Sequence, residues 1–215
     1  MVNVLVTNLP YLLRGALVTL WLAVIVVTVG TLLGTGLGVL ATGRSRILRM
    51  AITVYIFVLR GIPVLVVMFL GYYAFPALGV RVNAYVAVGV AQIVYVGAFT
   101  AEIVRSAILS VHPGQVAAAK SLGMRRAAIL REVLLPQATR IAIPPLVNNA
   151  LTAVKQTSYA SVVGAWELTY AAREIVERTL ASFQIFLGVM AIYFIICYPL
   201  ALLARWYEKR LAVSH

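Results

Sequence analysis

The chain alternates long apolar runs with short clusters of basic residues. Positions 15–43, 61–80, 82–101 and 179–204 contain no charged side chain. A helix needs about 20 apolar residues to cross a bilayer. These runs predict four membrane spans, at about 16–42, 52–77, 84–109 and 182–204. The second span begins before Arg60, whose long side chain can reach the membrane surface.

A fifth run, at about 141–166, is more polar than the others. It contains Pro144, Pro145, Asn148, Lys155 and Gln156. A helix exposed to lipid does not tolerate so many polar groups, so we expect this span to face the protein interior. The whole pattern predicts an all-α integral membrane protein. It has about five transmembrane helices in a single domain, residues 1–215.

The composition supports a membrane protein and excludes several other classes. Hydrophobic residues make up 63% of the chain and charged residues 11%, and the mean hydropathy is +0.99. A soluble domain is about 25% charged, which excludes a cytosolic enzyme and a disordered protein. The one cysteine, Cys197, excludes an internal disulfide and a cysteine-built metal site. No metal site is expected.

Basic residues determine the predicted orientation. The chain has 18 Lys+Arg against 6 Asp+Glu, a net charge of +12, and basic loops of membrane proteins lie in the cytoplasm. The basic clusters lie between the first two spans, in the segment 110–140 and at the end of the chain. The N-terminus is therefore predicted outside and the C-terminus in the cytoplasm. This arrangement explains the charge without a nucleic-acid partner.

Two glycine patterns occur near the end of the first span. Gly30, Gly34 and Gly38 recur every four residues and predict a surface where another helix packs closely. The segment 38–45 resembles a phosphate-binding P-loop, but Arg44 replaces the lysine and no strand precedes it. We therefore expect no nucleotide site, and no enzymatic activity, in this chain.

The segment 110–140 is long for a connection between membrane helices, and such loops are usually functional. Its sequence predicts a helix starting at Pro113, a left-handed turn at Gly123 and a second helix. A DNA-binding helix-turn-helix has a similar pattern. The position between two membrane spans favours docking to a cytosolic protein instead, because the small side chains of Ala117, Ala118 and Ala119 would fit a partner's groove.

Five sequence blocks resemble the permease subunits of polar amino-acid ABC importers. The first is the EAA-type loop, G-Q-x-A-A-A-x-x-L-G followed by Leu-Leu-Pro-Gln-Ala. The other four are Arg-Gly-Ile-Pro at 60–63, Ala-Glu-Ile-Val-Arg-Ser-Ala-Ile at 101–108, Pro-Pro-Leu-x-Asn at 144–148 and Lys-Gln-Thr-Ser at 155–158. The match extends from about Arg14 to Arg205. That family includes importers of histidine, arginine, glutamine, glutamate and cystine.

The resemblance implies half of a type I importer in the bacterial inner membrane. The expected partners are a second permease, two cytosolic ATPase subunits, an external amino-acid-binding protein and membrane lipid. ATP and Mg would be bound by the ATPases, and this chain would bind no cofactor. Transport would proceed by alternating access, coupled to the ATPases through the loop residues Ala117, Ala118, Ala119, Leu122 and Gly123.

The loop departs from the family at one position. Ala117 replaces the usual glutamate, which removes one candidate ion pair with the ATPase. The second permease could be an identical copy, or a homologue that retains the glutamate. The sequence leaves both open.

Polar residues within the spans are the candidates for substrate binding. Asn148, Thr152, Lys155 and Tyr159 share one helical face by their spacing. This face fits either hydrogen bonding between helices or a substrate path, and we favour the path. Glu102 fits a substrate contact or an ion pair with Arg105 equally well. The predicted substrate-binding residues are Glu102, Asn148, Lys155, Gln156 and Ser158.

The Lys-Gln-Thr-Ser motif suggests a substrate class. Many family members selective for cationic amino acids resemble Lys-Asp-Thr-Ser here, whereas this chain has the amide of Gln156. An amide does not neutralise a buried cation. We therefore expect a neutral or acidic polar amino acid. A self-sufficient secondary transporter or channel is the alternative function, although no internal repeat is visible.

Overall fold

The computed structural model describes residues 2–212, with side chains for 4–207, and the regular structure in this range is helical. Nine α-helices are α1 (Val2–Leu40), α2 (Arg46–Gly61), α3 (Val64–Ala77), α4 (Ala84–Leu109), α5 (Pro113–Ser121), α6 (Arg126–Ala128), α7 (Leu135–Gln156), α8 (Leu168–Thr179) and α9 (Ser182–Ala212). A π segment (Ile129–Leu134) joins α6 to α7, and a 3-10 segment (Thr157–Val163) follows α7. The predicted all-α class is confirmed.

Three helical ranges within residues 2–212 are long and apolar enough to cross a membrane: Val4–Leu40, Ala84–Leu109 and Ser182–Tyr207. Helices α2 and α3 form a fourth candidate, bent by 108°. The bend lies at Ile62 and Pro63, because proline lacks the N–H that would continue the helix. α7 is not among these candidates, so the count of five spans stays a prediction.

The first helix begins at Val2, well before the predicted start near residue 16. Pro10 lies inside it, ahead of the predicted span. Leu12 and Ala16 are buried against Leu168, Ile175 and Ile185 of α8 and α9. This packing stabilises the first turns of α1 despite the proline.

Gly30, Gly34 and Gly38 of α1 lie against another helix, α4, as predicted. A Cβ at Gly38 would lie 2.7 Å from the carbonyl oxygen of Ala101, and one at Gly30 would lie 2.9 Å from the side chain of Val96. The absence of side chains lets the two backbones approach closely, which is the packing interpretation of the pattern.

α8 is a short amphipathic helix, and the apolar runs do not predict it because charged residues interrupt its apolar positions. Its N-cap is Glu167, which is 0% exposed. The carboxylate accepts hydrogen bonds from Thr19 Oγ1 at 3.1 Å, from the N–H of Tyr170 at 2.9 Å and from Tyr193 OH at 3.3 Å. These bonds connect α1, α8 and α9 at one end of the bundle.

Candidate functional site

The predicted polar face of α7 is present and lies on the surface of the chain. Asn148, Thr152, Lys155 and Tyr159, which we call the polar stripe, are all exposed. The opposite face of the helix contains the buried residues Leu151, Ala153 and Val154. One face of this helix therefore packs inside the chain, against α1, α4 and α9, whereas the polar stripe points away from the other helices, and the expectation that this stripe faces the protein interior stays a prediction.

The polar stripe lies well inside the length of the bundle. Gln92 of α4 contacts Ala153 of α7, and Gln92 is about 12 Å along α4 from its Ala84 end, at 1.5 Å per residue. Lys155 follows two residues later. A cation at this depth in the hydrocarbon region would cost about 3 kcal/mol, so another polar surface or water must cover it.

The helix changes form within the Lys-Gln-Thr-Ser motif. α7 ends at Gln156, and residues Thr157–Val163 form a 3-10 helix that stops at Gly164, with φ +82°. Ser158 Oγ donates to the carbonyl of Lys155 at 2.8 Å, and Thr157 Oγ1 donates to the carbonyl of Val154 at 2.8 Å. The Ser158 hydroxyl therefore approaches a ligand as an acceptor. Gln156 and Ser158 are half-buried beside exposed Lys155.

Glu102 lies in a separate cluster. Arg105 binds its carboxylate at 2.9 and 2.8 Å, Ser106 donates at 3.2 Å, and Arg60 lies 3.8 Å away. The ion pair with Arg105, one of the two alternatives for Glu102, is thus present. A cavity of about 430 Å³ is lined by Glu102, Arg60 and Pro145. Since Pro145 and Lys155 are about 15 Å apart along an ideal helix, Glu102 is not brought to the Lys155 motif.

The predicted coupling residues lie at the opposite end of the bundle from α8. Ala117, Ala118, Leu122 and Gly123 are exposed, and Leu122 is 81% exposed. Ala119 is 4% exposed, so its side chain faces this chain. The other four lie on the accessible surface of α5 and its C-terminal turn.

The turn after α5 has the predicted left-handed glycine. Gly123 has φ +73°, its N–H donates to the carbonyl of Lys120 at 2.9 Å, and the N–H of Met124 donates to Ala119 at 3.1 Å. Only glycine adopts this conformation without strain. The predicted helix, glycine turn and second helix are all present, but the second helix continues through the π segment into α7.

Gln92 is a polar residue that the sequence interpretation missed. It is 0% exposed, and its amide donates to the carbonyl of Ala153 at 2.9 Å. The available signal was an amide in the middle of the apolar run 82–101. Its partner is a backbone carbonyl 61 residues away, which no local pattern reveals.

Comparison with known proteins places these features in a family. Residues 27–213 match the family described as the binding-protein-dependent transport system inner membrane component. The probable glutamine ABC transporter permease protein GlnM of Bacillus subtilis is 34% identical, covering 100% of this chain and 99% of that protein. The L-cystine transport system permease protein TcyB of Bacillus subtilis is 36% identical, covering 94% and 87%. The crystal structure of an amino acid ABC transporter with histidines is 32% identical, with TM-score 0.89 and 96% of both chains covered.

Proposed function

This chain belongs to the family of binding-protein-dependent transport system inner membrane components, and from that premise we propose that it is one permease half of an ATP-driven importer of polar amino acids. ATP is hydrolysed by two separate cytosolic subunits, which bind Mg and ATP. An external binding protein delivers the substrate. The chain resides in the bacterial inner membrane among lipid, and it binds no cofactor of its own.

The polar stripe is the observation that carries this proposal. Three of its residues are exposed along one face of α7 and Tyr159 is exposed in the 3-10 segment that follows, at a depth where lipid disfavours them. A second permease, identical or homologous, would cover this face and present a similar one. Asn148, Lys155, Gln156 and Ser158 would then line a path between the two chains, with Lys155 facing the substrate α-carboxylate.

The accessible residues of α5 support coupling to the ATPases. Ala117 and Ala118 give the helix a narrow surface, and Leu122 projects from its end. Helices α6 and α7 follow through one continuous helical stretch. Movement of a docked ATPase would therefore reach the polar stripe directly, which suits alternating access.

Reconstitution tests this function. The chain is inserted into liposomes with its ATPase subunits, second permease and binding protein, and uptake of labelled glutamine is measured. We expect uptake to require ATP inside and binding protein outside. Uptake by the permeases alone, driven by an ion gradient, would instead support the secondary transporter.

The orientation is tested by labelling cysteines at the two ends of the bundle. In a Cys197→Ser background, a cysteine at exposed Ala118 should react with a membrane-impermeant thiol reagent only from the cytoplasmic side. A cysteine at exposed Thr179 should react only from outside. Ala118 is preferred to Ala119, whose buried side chain would react slowly. The opposite pattern would reverse the topology inferred from the basic residues.

The substrate class is tested by competition for uptake. We expect unlabelled glutamine and glutamate to compete better than arginine and lysine, because Gln156 offers no charge to a buried cation. Gln156→Asp should improve competition by arginine about tenfold or more, because a hydrogen bond to a charged group contributes about 1.5–3 kcal/mol. Gln156→Ala is the control, since it removes the amide without adding charge. If arginine outcompetes glutamine in the unmodified complex and Gln156→Ala retains that order, the assignment is wrong.

A further inference from the structure

Gln92 is a buried amide at the contact between α4 and the end of α7. Its neighbours one turn away on α4, Val88 and Val96, belong to the same apolar cluster as Ala153. The amide orientation follows from its partner, because a carbonyl oxygen only accepts hydrogen bonds. Nε2 therefore faces Ala153, and Oε1 faces the core.

Because of this buried oxygen, a glutamine at position 92 is less favourable than an apolar residue for packing alone. Among the side chains that the structure describes, Gln92 Oε1 is the buried polar atom without a hydrogen-bond partner. An unpaired acceptor in an apolar core is unfavourable, because it loses water and gains nothing in return. A methionine would fill the same space without this cost. Packing therefore does not explain a glutamine at this position, and the hydrogen bond that Gln92 donates is the property to be explained.

The carbonyl that receives this bond lies at the change of helix type. Ala153 O also accepts the N–H of Thr157, the first residue of the 3-10 segment. A second hydrogen-bond donor that approaches from the side pulls a carbonyl group out of line with the helix axis. Side chains that bond to a helix in this way bend the helix or change its winding. Gln92 thus bonds to the last turn of α7 directly before the helix tightens.

The place of this change sets the geometry of the Lys-Gln-Thr-Ser motif. Successive residues rotate by about 100° in an α-helix and about 120° in a 3-10 helix, and they rise about 1.5 and 2.0 Å. Lys155 precedes the change and Ser158 follows it. A shift of the change by one residue would rotate one side chain relative to the other by about 20° and move it by about 0.5 Å.

We propose that Gln92 is a positioning residue for this motif. By bonding the carbonyl of Ala153, it fixes the residue at which α7 becomes a 3-10 helix, and so fixes the directions of Lys155 and Ser158. This inference rests on the substrate-binding role proposed above for those two residues. Gln92 itself is buried and does not touch the substrate.

Two variants separate positioning from general packing. Gln92→Met retains length and volume but removes the donated hydrogen bond. Thr100→Val is the matched control, because it removes another bond between the same two helices, from Asn149 Nδ2 to Thr100 Oγ1 at 3.1 Å. Thr100 lies about two turns from Gln92 along α4 and away from the motif.

The first measurement is equilibrium binding of labelled glutamine to the purified permease–ATPase complex without binding protein. Gln92→Met should raise Kd about three- to tenfold, the factor that corresponds to one lost neutral hydrogen bond. Thr100→Val should leave Kd unchanged. Equal changes in the two variants would show that general loosening of the helix contact is responsible, and would overturn the proposal.

The second measurement is amide hydrogen exchange of the same complexes, which does not depend on substrate. Amides of residues 157–163 should exchange faster in Gln92→Met than in Thr100→Val. Equal exchange would overturn the positioning role, whether or not glutamine binds. If exchange is faster in Gln92→Met but the Kd for glutamine is unchanged, the positioning contact is supported. The substrate-binding role of the motif is then refuted.

Discussion

Gly34→Val is expected to lower the unfolding temperature of the chain sharply and to reduce the amount of folded protein in the membrane. A Cβ at Gly34 would overlap the carbonyl oxygen of Gly97 and the side chain of Thr100 on α4. One obstacle is backbone, so a rotamer change does not relieve it, and the two helices must separate. Overpacking of this kind costs about 3 kcal/mol, a large part of a typical folding free energy. Thermal unfolding of the detergent-solubilised chain measures the loss.

Gly36 provides the control on the same helix. It is exposed, and no heavy atom of the described residues lies within 4 Å of a Cβ placed there. Gly36→Ala should retain or raise the unfolding temperature, because alanine is favoured over glycine in a helix by about 0.5–1 kcal/mol. If Gly34→Ala and Gly36→Ala behaved alike, the close approach of α1 to α4 would not be the source of stability.

Gly123→Val is expected to disconnect ATP hydrolysis from transport while leaving the chain in the membrane. No described heavy atom lies within 4 Å of a Cβ at this position, so the effect comes from the backbone angle, φ +73°. An L-residue in this region costs about 1–2 kcal/mol, and a β-branched side chain is worse. The turn would adopt another conformation and redirect α5. We expect substrate-stimulated ATP hydrolysis to fall about tenfold in the reconstituted complex.

Gly79→Val is the control that distinguishes a loss of coupling to the ATPase from backbone strain alone. Gly79 has φ +77° and equally free space, but it lies in the turn between α3 and α4. The substitution should therefore cause similar strain with little loss of stimulated ATP hydrolysis. The amount of each variant in the membrane must be measured alongside. Normal coupling in Gly123→Val, or equal loss in both variants, would contradict the role of the α5 turn.

The sequence predicts elements best where a single local property decides them. The uncharged run between Arg81 and Glu102 predicts α4, whose bounds match the predicted span. The left-handed glycine after Leu122 follows in the same way from local chemistry. Both features depend on residues that are adjacent along the chain.

Features that depend on distant contacts were missed. α1 starts before Pro10 because α8 and α9 cover its first turns. The charges of α8 conceal its apolar residues Leu168, Ala171 and Ile175, which pack inward. The bend between α2 and α3 was foreseeable from Gly61 and Pro63, which both disfavour a continuous helix.

The candidate site shows the same division. Helical spacing alone predicts that Asn148 and Lys155 share a face, and the structure has them on one face. The change to a 3-10 helix at Thr157 coincides with a hydroxyl bond from Thr157 and with a carbonyl bonded from α4. Periodicity contains no information about such contacts, so the direction in which Ser158 points was not predictable.

The uninterrupted helical stretch from Arg126 to Gln156 has a mechanical consequence. At 1.5 Å per residue it forms a lever about 45 Å long. A tilt of about 10° at one end displaces the other by about 8 Å, more than the width of an amino-acid side chain. Pro136 cannot donate an N–H to the carbonyl of Glu132, and the π segment lies there. Pro144 and Pro145 lie further along the same stretch, so the lever lacks helix hydrogen bonds at two places, and substitutions that stiffen either one would change its stroke without altering its ends.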